Sequence, residues 1–284
     1  MLHRARKGVL LFRLRGRDFM KFRQLAAALI ATTSLGLMPP SSVGQTPREN
    51  LTLGFIRFMA YHEAGHLLMN QVHGINASTW SRENIERYAD QIAAVLLVPD
   101  PGDPDGVEEI IGAANAWLRA GDGHAENDPH APPEERAYNI VCYVYGSDPV
   151  AFADFKQFVG EESGCEEKFK AMDDEIEYGF VNDTDQSGVR IELTYQPATP
   201  ETEAARQFLQ LSGILEDLVF DIENDFKLDR QTKLVAMSCK GKGDEGTFHF
   251  DTFQNDDPSK NFDRIAICYE LVDMWMKAKI PEAG

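Results

Sequence analysis

The stretch YHEAGHLLMNQVHG, residues 61–74, sets two imidazoles four positions apart with a carboxylate next to the first. On an α-helix, positions i and i+4 share a face, so His62 and His66 can aim at one point. Glu63 stands beside that face, able to reach a water molecule at that point without binding an ion itself. Such a pair of imidazoles suits zinc, which lowers the pKa of bound water towards neutrality. The adjacent glutamate then takes the proton as the water attacks a carbonyl. The motif is short, and a surface helix with polar His and Glu is the plain alternative. Tyr61, Leu67, Leu68 and Met69, however, make the segment apolar almost all round. That buries it, and buried His62, Glu63 and His66 need partners.

A hydrolytic zinc takes three protein ligands and keeps one position open. Glu86, 20 residues after His66, meets that need from the next segment, and Asp90 lies one turn further on the same face. A helix–loop–helix hairpin brings Glu86 to the ion and lets Asp90 accept a hydrogen bond from a ligand histidine, fixing its tautomer. The surrounding ERYADQIAAVLL is largely apolar, although a solvated face remains the alternative for the two acids. Carbonyl chemistry also needs a donor for the oxyanion. His130 is the first choice for that role and Tyr138 the second, against a plain loop histidine in NDPHAPP. Arg136 can hold an acid behind the ligands or form a surface ion pair.

Three other features are set aside. His73 suits the C-terminal dipole of its helix better than ligation. His249, alternating with apolar residues in TFHFDTF, is expected on the solvent side of a strand. DTDQSG, from Asp183, opens like a calcium loop, but its twelfth position is Thr194 where a glutamate is needed, so a turn is expected.

The elements that must position these residues follow from periodicity. Apolar residues at helical spacing run from Leu51 and stop at Gly74, a residue suited to the end of a helix. Ser81 can cap a second helix that Pro99 ends. Weaker helices are expected around 106–120, 134–145, 148–159 and 164–178. After Gly179 the texture changes: GVRIELTYQ alternates like a strand, and KLVAMSC, TFHFDTF and DRIAICYE are further strand candidates. ATPETEAARQFLQLSGILEDLVFDIEND reads as one capped helix, and a last helix is expected from Tyr269 to Lys279.

The 284 residues carry 43% hydrophobic side chains, enough for a real core, and a formal charge of −18. Residues 1–24 hold eight basic groups and one acid; without them the charge is −25. So acidic a surface repels phosphate backbones and argues against nucleic acid as a partner. The basic start precedes the apolar segment Leu25 to Met38, then Pro39, Pro40 and small residues, which describes a secretory signal peptide. A segment of fourteen residues is too short to span a bilayer comfortably, so no stable membrane span is expected after cleavage near Gly44. Met20 competes with Met1 as the true start. An uncleaved anchor or a buried N-terminal helix is the alternative. The four cysteines suit an oxidising compartment, periplasmic or extracellular. They permit three pairings, of which the local one, Cys142–Cys165 with Cys239–Cys268, is expected.

YHEAGH, ERYADQIAAVLL and DPHAPPEERAYNIVCYVYGSDPVAF together resemble a family of zinc metallopeptidases of the glutamate-zincin type, known mainly by a domain-of-unknown-function label. MSC…NFDRIAICYEL resembles another of its segments, so the similarity covers about residues 50 to 275. The resemblance implies one zinc ion held by His62, His66 and Glu86, with Glu63 as catalytic base, and a peptide or protein substrate. The four cysteines match the family's usual ones. The extension before Met20 and the loop INASTWSREN carry none of its wording.

Zincins place an edge strand beside the active-site helix, and here the strand candidates all follow Gly179. An α+β, zincin-like fold is therefore expected, with a mainly helical N-terminal half and a small sheet supplied by residues 187–270. An accessory domain after Gly179 is the alternative. The expected organisation is a signal peptide over 1–44, a helical metal-binding region over 45–180 and an α/β region over 181–284. Two other functions compete with peptidase: a catalytically silent zincin-like binding module, and a metal-dependent amidohydrolase acting on a non-peptide substrate.

Overall fold

The computed structural model describes residues 47–71, 79–120, 128–160, 164–179, 189–240, 247–257 and 260–278. The expected signal peptide, His73 and the calcium-like loop from Asp183 lie outside these residues. The fold is α+β, mostly helical in its N-terminal half, with a four-stranded sheet in the C-terminal part.

The first described helix, α1 (Pro47–Gln71), is the centre of the described fold. Every residue from Leu51 to Met69 is buried except Arg57 and His66, which are partly exposed. A helix apolar around its whole circumference has to be enclosed. Its neighbours are α2 (Arg82–Leu96) and α3 (Pro104–Ala120). Next come α4 (Pro133–Ser147), a 3₁₀ turn at Ala153–Phe155 leading into the short α5 (Lys156–Val159), and α6 (Cys165–Gly179). Ser81 caps α2 by accepting from the Asn84 backbone N–H at 3.3 Å.

The C-terminal part runs β1 (Ile191–Tyr195), α7 (Glu203–Ser212), α8 (Ile214–Asp225), β2 (Gln231–Met237), β3 (His249–Phe253), β4 (Phe262–Cys268) and α9 (Tyr269–Lys277). The strand order is β1-β2-β4-β3, with β1, β2 and β4 parallel and β3 antiparallel to β4. Met237 pairs with Cys268, and His249 with Ala266. The segment expected as one helix is two, α7 and α8. Gly213 between them has φ of +70°, a left-handed conformation that glycine adopts without strain and that ends the first helix.

The sheet packs on α1 through a buried polar network at the helix's last turn. Gln71 Nε2 donates to Thr232 Oγ1 at 2.9 Å and to Asp263 Oδ2 at 2.8 Å, and Arg230 pairs with the same carboxylate at 2.9 Å. Asn70 Nδ2 reaches Thr252 Oγ1 at 3.0 Å. Because Asp263 and Thr232 are fully enclosed, these bonds fix the register between helix and sheet. On other faces α1 meets α9, where Phe55 and Trp275 rings lie 4.2 Å apart, and α8, where Tyr61 bonds Asp221.

Two disulfides staple the fold. Cys142 and Cys165 join α4 to the start of α6 with Cα atoms 5.1 Å apart, and Cys239 and Cys268 join the ends of β2 and β4 at 5.4 Å. With sequence separations of 23 and 29, each removes about 3 to 4 kcal/mol of unfolded-chain entropy in the loop-closure model.

Candidate metal centre

The site forms where α1 and α2 cross. Gly65 of α1 lies against Ala89 of α2, so closely that a Cβ at Gly65 would stand 3.0 Å from the Ala89 Cα. This small-residue contact draws together the side chains on either side of it: His62 and His66 from α1, Glu86 and Asp90 from α2.

His66 Nε2 lies 3.0 Å from Glu86 Oε2 and 3.1 Å from His62 Nε2, and His62 Nε2 lies 3.3 Å from Glu86 Oε2. These three atoms form a nearly equilateral triangle. Zinc bound tetrahedrally at its usual 2.0–2.1 Å separates neighbouring N and O ligands by about 3.3 Å. The triangle is that size to within a few tenths of an ångström, so the donor set fits zinc in both chemistry and spacing. His62, Glu63 and Glu86 are buried, while the His66 side chain keeps 16% exposure, so the triangle opens to solvent on the His66 side.

Behind the triangle stands a relay of charge. Asp90 Oδ1 accepts from His62 Nδ1 at 2.7 Å and from Arg136 Nη2 at 2.5 Å. The first bond places the proton on Nδ1 and leaves the Nε2 lone pair for a metal. Arg136, from α4, is 4% exposed on its side chain and lies over the Trp117 ring, 3.6 Å from its centroid. Burial pushes Asp90 up, but the Arg136 charge and the bond from His62 outweigh it and hold the carboxyl below its ordinary range. Burial would lower His62, yet the Asp90 bond and charge, with Glu86 and Glu63, draw it up to about 9. Burial likewise opposes Glu86 ionisation, but bonds from His130, His62 and His66 hold it well below the carboxylate range.

His130 reaches the same carboxylate, its Nε2 3.2 Å from Glu86 Oε2. Its Nδ1 lies 2.7 Å from Asp128 Oδ1, which also accepts the His130 backbone N–H at 3.0 Å. Asp128 thus holds both ring and main chain, a role missed in the sequence. NDPH reads as a turn, and a bond to the residue two positions on is what Asp does in turns. Tyr138 is a correction. It sits two residues after Arg136, about 200° around α4, and its hydroxyl faces Cys165 Sγ at 4.0 Å with Lys168 over its ring. It joins the Cys142–Cys165 cluster instead of the histidines.

His249 is a second correction. It is half-buried, not on the solvent side, with Nδ1 enclosed and Nε2 3.3 Å from Asp251. The next residue, Phe250, stacks on His66 at 6.4 Å between centroids, which puts the edge strand β3 beside the triangle.

Residues 34–177 match the model of a family described as "Putative metallopeptidase". The match takes in half of the chain and contains the triangle, Asp90, Asp128, His130 and Arg136. Neither a curated protein nor a solved structure matches the chain. Among the described residues no helix is long and apolar enough to cross a membrane.

Proposed function

This chain belongs to that family, and from that premise we propose that it is an exported, zinc-dependent peptidase. The observation that carries this reading is the triangle of His62 Nε2, His66 Nε2 and Glu86 Oε2 at the edge lengths a tetrahedral ion imposes. One zinc ion held there supplies a Lewis acid that polarises a carbonyl and lowers the pKa of water. Glu63, next to His62 on α1, takes the proton from the attacking water and returns it to the leaving amine. His130 donates its Nε2–H to the oxygen that gains charge, with Asp128 holding the ring. Asp90, steadied by Arg136, keeps the His62 lone pair aimed at the ion. A peptide substrate lies extended along β3, whose outer edge has no partner strand among the described residues.

In this reading residues 1–44 are removed on export, 45–180 carry the ligands and 181–284 supply the sheet. Two disulfides are compatible with an oxidising compartment, periplasmic or extracellular. The test compares the mature chain with Glu63→Gln on a peptide library, measuring zinc content in parallel. The proposal expects full zinc in both and cleavage reduced by a factor on the order of 10² to 10⁴ in the variant, the range for a general base. Equal cleavage by both proteins removes Glu63 from the mechanism. No cleavage by either, with zinc bound, favours a silent binding module.

A further inference from the structure

The disulfide at the end of the sheet has a histidine as neighbour. Register places His249 opposite Ala266, so its side chain projects on the same face as Cys268, two residues along β4. A ring nitrogen of His249 lies within 4.8 Å of both the Cys239 and Cys268 sulfurs. Its Nε2 is 3.3 Å from Asp251 Oδ2, which is itself paired with Arg264 at 2.5 Å. Its Nδ1 is buried and has no hydrogen-bond partner among the described residues. Metal-binding histidines commonly have this arrangement: one ring nitrogen donates to a carboxylate and the other presents a lone pair. An enclosed lone pair with nothing to accept from is otherwise a cost.

We propose that Cys239, Cys268 and His249 form a second zinc site in the reduced protein, for which the disulfide is the alternative occupant. A two-electron reductant of the dithiol class breaks the S–S bond, becomes a disulfide itself and leaves two thiols. Each thiol loses its proton on binding, so one zinc ion enters and two protons leave. Two thiolates and an imidazole are a soft set well suited to zinc, with the fourth position left to water. The site is separate from the triangle, shares no residue with it and stands whether or not the chain is a peptidase. Its occupant depends on the redox state, so a chain that has not yet been oxidised carries zinc where the mature one carries a covalent bond.

The experiment uses the full chain reduced with a phosphine, which is oxidised to its oxide. Zinc is supplied at two equivalents or removed with a chelator, and alkylation of each cysteine is followed by peptide mass spectrometry. Zinc is expected to slow alkylation of Cys239 and Cys268 at least tenfold, leave Cys142 and Cys165 unchanged, and lose this protection in His249→Ala. A second readout needs no variant. Cobalt in place of zinc gives a thiolate charge-transfer band in the reduced protein and none in the oxidised one, since the triangle contains no sulfur. Alkylation of Cys239 and Cys268 that ignores zinc, protection that survives His249→Ala, or no thiolate band on reduction would each overturn the proposal.

Discussion

Replacing Asp90 with Asn separates what the relay does for the fold from what it does for the metal. The side chain keeps its shape, with one oxygen exchanged for an amide NH2, but the charge facing Arg136 is lost. Both side chains are 4% exposed, and removing one partner of such a pair costs about 3 to 5 kcal/mol because the other charge stays buried. In a domain of this size about 2 to 4 °C accompanies each kcal/mol, so the metal-free Tm should fall by about 6 to 20 °C. The same change weakens the hold on His62 Nδ1, and loss of a partner behind a metal ligand costs about 10- to 100-fold in metal affinity. The double variant Asp90→Asn/Arg136→Met removes both charges. It should recover most of the Tm, since no unpaired charge is left, yet keep the loss in zinc affinity. Thermal unfolding of chelator-treated protein and competition titration with a zinc indicator read the two quantities separately. Unchanged zinc affinity in Asp90→Asn, or affinity and Tm recovering together in the double variant, would refute the relay.

Asp128→Asn should lower kcat about tenfold or more while leaving KM and zinc content unchanged, as expected for a group that orients an oxyanion donor; a rise in KM alone would place His130 in substrate binding instead. Zinc affinity should depend on pH through His62, which the polypeptide alone holds protonated up to about 9. Because its folded value is raised, its contribution to metal-free stability is complete below 6.5, the unfolded value, and is lost as pH rises through about 9. Zinc must displace that proton, so apparent affinity should climb across the same window by up to about tenfold per pH unit. Titrations at several pH values between these limits check both trends, and a flat profile would contradict them.

The candidate site was legible because its geometry is local. Spacing four along an apolar helix places His62 and His66 on one face, and the same rule places Glu86 and Asp90 together. What joins the two helices is less visible: the Gly65–Ala89 contact is ordinary in sequence and decisive in space. Asp128 was missed because a turn and a ring-orienting bond use the same residue types. Tyr138 was misplaced because nearness in sequence to His130 and Arg136 says nothing about which face of α4 it occupies. His249 was misread because alternation identifies two faces of a strand but not which one is covered, and here the Cys239–Cys268 disulfide lies against it. The helix break at Gly213 escaped periodicity, since both halves keep the same apolar rhythm. The docking of the sheet on α1 rests on Gln71, Thr232 and Asp263, polar residues that no hydropathy pattern brings together.

The account depends most on one ion shared by the first two helices. Anomalous diffraction from crystals of the mature chain, recorded on either side of the zinc absorption edge, tests this directly. The account predicts a single strong peak about 2 Å from His62 Nε2, His66 Nε2 and Glu86 Oε2 together. A map with no peak there in zinc-soaked crystals, or a peak bound by the histidines with the Glu86 side chain turned to solvent, would contradict it.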